Sequence, residues 1–324
     1  MICDPMFSST GFSATPPKLV IIGATGWYGK TFVHEYIREY GFAAASQNLL
    51  LYASRQTSLS FAYEQANYHL DFDVFALEDS QLRSFDEFDG LVWLSFLLRS
   101  SLAHVSLENY RDINNSIAFH VFNILRKCPH LRTVYFSSGV AFGLDTPPEY
   151  EVDPYVHLKV CYQRELAHLS PLTTVYPYAT LGSFVPPTAT FAAASFVRQA
   201  ITTGRIVIDA HVPVVRSYGS VHDFTRLLLC LYKVRDWCED PVPSTVVPVT
   251  HTLDLLQLAH EVLAALCLEP KIICSVNFDM APSMYIASVF TFGSQLEHYG
   301  LTPTPLQRQI LQMSKGFLNA RVNY

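Results

Sequence analysis

The chain has 324 residues, of which 50% are hydrophobic and 15% are charged. This length accommodates one large α/β domain or two small ones, and the composition excludes disorder, collagen and coiled coil as descriptions of the whole chain. The 22 Lys and Arg residues stand against 28 Asp and Glu, for a net charge of -6. Because there is no basic field to hold polyanions, we expect no nucleic-acid and no membrane partner, only small and locally bound anionic ligands.

The cysteine pattern and the N-terminal segment indicate a cytoplasmic protein. The seven cysteines are scattered and form no CxxC pair, which predicts neither a disulfide framework nor a zinc site. Residues 1–17 lack the basic start and long apolar run of a signal peptide, so we expect a flexible lead-in. Long apolar stretches such as 91–98 stop well short of the roughly 20 residues of a membrane helix.

From residue 18 onwards, short apolar runs alternate with segments of helical periodicity, which is typical of a parallel sheet wrapped by helices. Strands are predicted at 19–22, 48–53, 68–72, 90–95, 132–137 and 173–178. Helices are predicted up to Gly41 and at 107–127 and 155–169. Proline-rich turns, a helix at 191–203 and a strand at 205–208 then indicate a smaller lobe. We predict an α/β fold with a doubly wound parallel (Rossmann) sheet over 18–185 and a smaller lobe over 186–324, with some strands crossing between them.

A turn with three glycines, Gly23, Gly26 and Gly29, follows the first predicted strand directly. The spacing is related to that of dinucleotide-binding turns, where glycines permit a tight turn, close approach to the pyrophosphate and close packing of the next helix. Free amides at the helix start, together with the helix dipole, attract the phosphates. The alternative is a purely structural turn between strand and helix.

The end of the second predicted strand indicates which dinucleotide binds. An NAD site has an acidic residue there for the adenosine ribose, whereas this chain has Ser54 and Arg55. An arginine pairs bidentately with a 2′-phosphate, which a carboxylate would repel. We therefore expect NADP(H) in preference to NAD(H). Arg55 as a solvated loop cation is the alternative.

Tyr155 and Lys159 are four residues apart and therefore share one face of the predicted helix. A neighbouring cation stabilises a phenolate, so the pair can move a proton to or from a substrate oxygen. A YxxxK pattern is common by chance, but here Ser137 and Ser138 end a predicted strand, where open α/β sheets bind ligands. His157 points to another side of the helix.

Five features in chain order resemble one known family. They are the glycine turn at 23–29, the Asn114–Asn115 pair, Ser137–Ser138 with Gly143, Tyr155 with Lys159, and the segment RSYGSVHD at 216–223. In these features, which span residues 18–223, the chain resembles the extended short-chain dehydrogenase/reductases, the NAD-dependent epimerase/dehydratase family. Most members of that family act on nucleotide-activated sugars.

The resemblance implies a role for each matched residue. Ser138 would hydrogen-bond the reacting oxygen, Tyr155 would be the general acid/base, and Lys159 would bind the nicotinamide ribose and lower the pKa of the tyrosine. Asn115 would hold structure or water near the site, and Arg216 would bind the substrate diphosphate. A polar residue inside a helix and a surface cation are the alternatives for Asn115 and Arg216. The candidate cofactor contacts are Gly23, Thr25, Gly26, Trp27, Tyr28, Gly29, Ser54, Arg55, Ser95 and Lys159.

The resemblance also implies a homodimer that forms through the helices at 107–127 and 155–169. Apolar residues of the first of these helices would supply the contact, although internal packing explains them equally well. These residues are Ile117, Phe119, Val121 and Phe122.

Three departures from the family pattern limit the activity and the substrate. Gly139 and Val140 stand where the 4,6-dehydratases of the family have an Asp–Glu pair, which disfavours elimination of water. Ala179 stands where many nucleotide-sugar enzymes have an Asn that binds the diphosphate, which weakens the assignment of the substrate class. The stretch from 138 to 155 is short, which favours a smaller substrate or a more open site.

His222 and Asp223 have no third ligand at useful spacing, so we expect no metal.

The sequence therefore predicts an NAD(P)-dependent oxidoreductase or epimerase that acts on a nucleotide-activated sugar, with Tyr155 as the proton carrier. Arg55 favours reduction of a keto-sugar slightly over epimerisation. The alternative is a dinucleotide-binding regulator or scaffold with the same fold and no turnover.

Overall fold

The computed structural model describes residues 15–62, 69–186, 188–234 and 242–322. Residues 1–14 of the predicted lead-in, and Tyr68 at the start of the third predicted strand, lie outside these ranges. The helices are α1 (Trp27–Tyr40), α2 (Phe42–Asn48), α3 (Leu107–Lys127), α4 (Pro154–Leu169), α5 (Ala192–Thr203), α6 (Val221–Lys233), α7 (Leu255–Ala265), α8 (Val289–His298) and α9 (Leu306–Val322). The strands are β1 (Leu19–Ile22), β2 (Leu49–Ala53), β3 (Thr57–Ala62), β4 (His69–Ala76), β5 (Gly90–Trp93), β6 (Arg132–Phe136), β7 (Leu172–Val175), β8 (Ala179–Leu181), β9 (Ile206–Ile208), β10 (Val214–Ser220), β11 (Thr245–Val246), β12 (His251–Asp254), β13 (Ile272–Cys274) and β14 (Ser283–Tyr285).

An eight-stranded sheet forms the centre of the protein, in the order β11-β7-β6-β5-β1-β2-β4-β3. All neighbouring strands are parallel except the edge pair β3 and β4, which is antiparallel. The four residues of β1 are buried, as expected for a strand with a helical layer on each side. The predicted doubly wound α/β fold is confirmed.

Two helical layers cover the sheet. One core contains side chains from α1 and α6, and a second core on the opposite face contains side chains from α3 and α4. Helix α3 begins where the Oγ of Ser106 accepts a hydrogen bond from the Asn109 amide at 3.2 Å. Helix α4 begins with Pro154 behind the capping side chain of Asp153, because proline needs no hydrogen-bond acceptor at a helix start. This start sets the position of Tyr155.

The smaller lobe contains a second sheet, the pair β9 and β13, and the helices α5, α7 and α9. In the second sheet, β10 pairs with β12, β14 and β8. The chain crosses between the lobes, because β8 precedes residue 186 and pairs in the second sheet, whereas α6 and β11 follow it and pack with the large one. The pairing of β10 with β14 places Tyr285 next to Arg216.

Several predicted boundaries differ from the structure for local reasons. The strand predicted at 48–53 begins at Leu49, because residues 42–48 form α2. The strand predicted at 173–178 ends at Val175, two residues before Pro177, which has no amide to donate. None of the described helices combines the length and the apolarity needed to cross a membrane.

Candidate active site

A cavity of about 670 Å³ lies at the carboxyl ends of β1, β5 and β6. This is the edge where open α/β sheets bind ligands, and the volume falls in the usual range for cofactor and substrate sites. The predicted residues that line it are Gly23, Thr25, Gly26, Trp27, Tyr28, Gly29, Ser54, Ser95, Ser138, Tyr155 and Lys159. The structure therefore brings most of the sequence-predicted site together.

The glycine turn has the geometry that a dinucleotide needs. Gly23 has a φ of +97°, and a Cβ there would lie 2.7 Å from the Ser95 amide nitrogen. A Cβ on Gly29 would lie 2.3 Å from the Gly23 carbonyl oxygen, so this glycine lets α1 start directly against the turn. Gly26 is the N-cap of α1 and offers no side chain to its first amides, which leaves them for an anionic ligand.

Unpaired polar atoms also fit this cavity to a polar ligand. The indole Nε1 of Trp27 and the hydroxyls of Ser95 and Ser137 are buried without a hydrogen-bond partner among the described residues, and all three residues line the cavity. Buried donors of this kind are costly unless a ligand or water satisfies them. The donor set and the glycine turn together fit a nicotinamide dinucleotide.

Ser54 and Arg55 follow the last residue of β2, at the adenosine end expected for the site. Ser54 lines the cavity, whereas Arg55 is exposed beside it and is not a lining residue. A 2′-phosphate bound at Ser54 would lie close to this cation. The binding of the 2′-phosphate by Arg55 stays a prediction.

Ser138 connects two phenols at the base of the cavity. Its hydroxyl lies close enough to those of Tyr155 and Tyr285 to influence the pKa of each. Burial raises the pKa of Tyr155, and the nearby Ser138 hydroxyl and the charge of Arg99 oppose that rise. The guanidinium of Arg99 lies 5.5 Å from the centre of the Tyr155 ring and pairs with Asp153. Ser138 and Tyr155 thus lie in the same cavity, and their roles stay predictions.

Lys159 is buried, with 4% of its surface exposed. Its Nζ donates to the Phe136 carbonyl at 2.6 Å and lies 3.8 Å above the centre of the Phe96 ring. Burial lowers the pKa of Lys159 to about 7. Burial raises the pKa of Tyr155, and the groups that oppose this rise are Ser138 and Arg99, so the role of Lys159 in lowering the tyrosine pKa stays a prediction.

Tyr178 and Tyr285 are site residues that the sequence analysis missed. Their rings stack with centroids 4.4 Å apart, and both line the cavity. A Cβ on Gly139 would lie 2.4 Å from the Tyr285 hydroxyl, which explains why no acidic side chain stands at this position. Tyr285 arrives from β14 of the smaller lobe, so no local sequence signal points to it.

Two predicted site residues are placed differently from the expectation. Asn115 is exposed, and its Oδ1 accepts a hydrogen bond from Tyr162 at 2.7 Å. Its neighbour Asn114 is the buried one, and its Oδ1 accepts from the amide of Leu97, a cavity residue, at 2.8 Å. The helical phase of α3 turns Asn114 inward and Asn115 outward, so the supporting role belongs to Asn114.

Arg216 does not line the cavity. Its guanidinium donates to the Val215 carbonyl at 2.8 Å and to the Ser283 carbonyl at 2.7 Å. Arg216 is nevertheless the register partner of Tyr285, and directly paired residues lie on the same face of a sheet. The arginine is therefore next to the cavity rim, held by backbone carbonyls.

The remaining aromatic residues of the turn have structural partners. Trp27 stacks on Phe191 with ring centroids 5.8 Å apart, and the Tyr28 hydroxyl bonds the Thr180 Oγ1 at 3.0 Å. His157 bonds the Pro148 carbonyl at 2.7 Å and is not a lining residue, in agreement with its predicted orientation.

His222 has neighbours that sequence spacing did not reveal. His34 and Glu35, both on α1, have ligand atoms within 4.8 Å of those of His222 at the start of α6. The expectation that His222 lacks further ligand partners is therefore wrong. Asp223 bonds Thr304 instead, from the third position of α6.

Comparison with known proteins gave structural matches only. No protein-family model matches the chain, and no curated protein matches it. One solved structure is a UDP-N-acetylglucosamine 4-epimerase from Methanobrevibacter ruminantium in complex with UDP-N-acetylmuramic acid, with a TM-score of 0.66, 13% identity, and coverage of 94% of this chain and 99% of that one. A UDP-glucose 4-epimerase from Stenotrophomonas maltophila with bound NAD has a TM-score of 0.66, 14% identity, and coverage of 95% and 100%.

A monomeric L-threonine 3-dehydrogenase from a metagenome matches with a TM-score of 0.63, 16% identity, and coverage of 94% of this chain and 100% of that one. The likeness extends over both lobes. The chain therefore has the fold of these epimerases and of this dehydrogenase, the fold expected from its resemblance to the extended short-chain dehydrogenase/reductases.

Proposed function

We propose that this chain is a cytoplasmic NAD(P)-dependent oxidoreductase or epimerase of the extended short-chain dehydrogenase/reductase family and that its substrate is a nucleotide-activated sugar. The observation that supports this most directly is that Ser138, Tyr155 and Lys159 line one cavity together with the glycine turn, with Lys159 one helical turn after Tyr155. A scaffold without turnover has no need of this arrangement.

The cofactor would lie along the glycine turn. The first amides of α1 and the dipole of that helix bind its diphosphate, and Ser54 with Arg55 binds the adenosine end. Ser95 and Ser137 offer unpaired hydroxyls nearer the reacting end. When bound, a nicotinamide supplies or accepts a hydride at the substrate carbon.

Tyr155 moves the proton. In reduction its phenol donates to the substrate oxygen, and in oxidation its phenolate accepts the hydroxyl proton. Ser138 orients that oxygen. Because burial raises the pKa of Tyr155, the phenol is the resting form, which suits the reducing direction. Arg55 also favours NADPH and thus the reduction of a keto-sugar, with epimerisation as the second candidate.

Arg216 is the proposed ligand of the substrate diphosphate. It lies beside Tyr285 in the second sheet, and its present acceptors are neutral carbonyls. A diphosphate would replace them with charge-assisted and bidentate hydrogen bonds, which are stronger. UDP-sugar complexes of structures with the same fold support this substrate class.

The first experiment is a titration with NADPH and with NADH, followed by tryptophan fluorescence, because Trp27 lies in the cavity. We expect NADPH to quench the fluorescence at a concentration at least tenfold lower than NADH does. Tenfold corresponds to a difference of about 1.4 kcal/mol in binding free energy. Trp27→Phe is the control and should bind without that quenching. Stronger binding of NADH, or NAD already held by the purified protein, would contradict the Arg55 argument and favour epimerisation.

The second experiment replaces Tyr155 by Phe. We expect turnover of a UDP-linked keto-sugar to fall by about 10²–10⁴, while NADPH affinity stays within twofold because the ring is kept. Circular dichroism checks the fold. A variant with full turnover would exclude Tyr155 as the proton carrier, and a wild-type chain that binds the cofactor but turns over no member of a nucleotide-sugar panel would favour the scaffold.

A homodimer formed by α3 and α4 completes the proposal. Phe119 on α3 is 54% exposed, although Val121 on the same helix is buried in the core. An exposed large aromatic residue on a helix that packs beside α4 is suited to an interface.

A further inference from the structure

A cluster of two histidines and one glutamate lies apart from the cavity and is not used by the proposed reaction. It joins α1, through His34 and Glu35, to the first turn of α6, through His222. The cavity is lined by other residues. We propose that His34, Glu35 and His222 bind a divalent transition-metal ion of the Zn²⁺ type, which fastens α1 to α6.

The ligand atoms are spaced for one ion. The Oε1 of Glu35 lies 2.8 Å from the Nδ1 of His222 and 3.4 Å from the Nδ1 of His34, and one ligand atom from each of the three residues lies within 4.8 Å of the other two. Bonds of about 2.0–2.1 Å in a tetrahedral site put neighbouring ligand atoms about 3.3 Å apart. The observed separations bracket this value, so small rotations of the three side chains suffice.

The Nδ1 of His34 is an independent indication of a ligand. This nitrogen is buried and has no hydrogen-bond partner among the described residues, and its contact with Glu35 does not have the geometry of a hydrogen bond. The other face of the ring packs near Phe184, with centroids 5.6 Å apart. A metal ion at the common point of the three atoms would satisfy the lone pair of this nitrogen.

The surroundings supply the second set of contacts that metal ligands need. The other carboxylate oxygen of Glu35 lies 2.8 Å from the guanidinium of Arg38, and the Nε2 of His222 lies 3.1 Å from the Ser183 hydroxyl. Such partners fix the tautomer and orientation of ligating side chains. When His222 binds through Nδ1, its proton moves to Nε2 and is donated to Ser183 Oγ. The Ser183 amide donates to Nε2 at 3.3 Å in this structure, and that hydrogen bond would be lost when Nε2 carries the proton.

The donor set selects the class of ion. Two imidazoles and one carboxylate favour zinc and its first-row neighbours over Mg²⁺ and Ca²⁺, which prefer oxygen ligands. Glu35 and His222 are almost fully buried, whereas the His34 side chain is 38% exposed. His34 is thus both a ligand and the path by which an ion enters.

The test is calorimetric titration of tag-free, chelator-treated full-length protein with ZnCl₂ at pH 7.5. We expect one Zn²⁺ per chain, with affinity at least tenfold weaker in His34→Ala and no such site in Glu35→Gln. His104→Ala, which removes an exposed histidine elsewhere, is the matched control and should bind as the wild type does.

Two further measurements separate a site from a structural ion pair. Added Zn²⁺ should raise the melting temperature of the wild type and of His104→Ala but not of His34→Ala, and Co²⁺ should give the visible spectrum of a four-coordinate site with imidazole ligands. His34 is half-exposed, so its variant decides the matter even where Glu35→Gln does not fold. Absence of stoichiometric zinc, or equal binding by wild type and His34→Ala, would overturn the proposal. NADPH binding by His34→Ala should be unchanged, which keeps this outcome separate from that of the proposed function.

Discussion

Burial puts the ammonium group of Lys159 where its charged form is costly. Its neighbours are the Phe136 carbonyl and the ring of Phe96, and its pKa is lowered to about 7 from an unfolded value near 10.4. The unfolded chain therefore binds more protons than the folded one between these two values, and stability rises with pH through this window. Below about pH 7, burial of the charged ammonium group lowers the folding stability by its full amount.

Lys159→Met should consequently stabilise the apoprotein, and more at low pH than at high pH. With about 1.4 kcal/mol for each unit of the pKa difference, we expect a gain of a few kcal/mol at pH 6.5 that falls by about 2 kcal/mol by pH 9. Urea unfolding at the two pH values measures it. Lys271→Met is the control, because Lys271 is 68% exposed and its loss should have no comparable pH dependence. An equal gain at both pH values would mean that packing, not charge, is responsible.

Tyr285, from the smaller lobe, brings its hydroxyl close to that of Ser138, and we expect the two to hydrogen-bond when substrate is bound. Tyr285→Phe keeps the stack on Tyr178 but leaves the serine hydroxyl free to turn away from the substrate oxygen. A net hydrogen bond is worth about 0.5–1.5 kcal/mol, so we expect kcat/KM to fall about two- to tenfold. Tyr178→Phe, which keeps the same stack and does not touch the Ser138 bond, should change it less. Equal losses in both variants would assign the effect to the aromatic stack.

At the scale of elements, two glycines of the turn have different roles. Gly29 is needed for folding, and Gly26 is needed for cofactor binding. A Cβ on Gly29 would lie 2.3 Å from the Gly23 carbonyl oxygen, whereas a Cβ on Gly26 would lie 3.4 Å from that oxygen. Overpacking of a rigid backbone costs about 1–3 kcal/mol or more. Gly29→Ala should therefore lower the stability by at least that much.

Gly26→Ala should instead fold normally and bind poorly. Gly26 has a φ of -72°, which alanine adopts freely, but it lines the cavity at the start of α1. A methyl group there would hold the pyrophosphate away from the first amides, so we expect NADPH binding to weaken at least tenfold with little change in melting temperature. Wild-type affinity in Gly26→Ala would mean that the diphosphate does not lie on this turn.

The elements that the sequence predicted well are those with strong local signals. The strand β1 is a continuous apolar run and α3 is a long helix-like stretch, and the sequence predicts both with the bounds that the structure has. The edge strand β3 and the short helix α2 were missed, because an edge strand depends on its partner and a seven-residue helix on tertiary packing.

The site follows the same rule. Tyr155 and Lys159 share a helix, and Gly23 to Gly29 form one turn, so spacing alone could place them. Tyr285 reaches Ser138, and His34 reaches His222, only through the packing of distant segments. Sequence spacing contains no information on such contacts. The exact phase of α3 is likewise not given by the sequence: it turns Asn114 toward Leu97 and Asn115 toward Tyr162.

At the scale of the whole molecule, the two lobes are interleaved rather than consecutive. Helix α6 and strand β11 return from the smaller lobe to the large sheet, and the Arg132 guanidinium lies 3.2 Å from the Tyr232 carbonyl. The proposed metal site lies at the other end of α6, where the first turn of that helix meets α1. We infer that the start of α6 fixes how β10, the strand before it, presents Arg216 beside the cavity.

The proposed homodimer is tested on the exposed face of α3. Phe119→Lys puts a charge where a 54% exposed aromatic residue would be buried against the partner subunit, and an unpaired buried charge costs several kcal/mol. We expect light scattering to give twice the chain mass for the wild type and the single chain mass for this variant. Phe290→Lys is the matched control, since Phe290 is 82% exposed on α8 and the proposed interface does not include it. If Phe290→Lys dissociated the dimer and Phe119→Lys did not, the interface would lie at α8 and not at α3, which would overturn the proposed dimer.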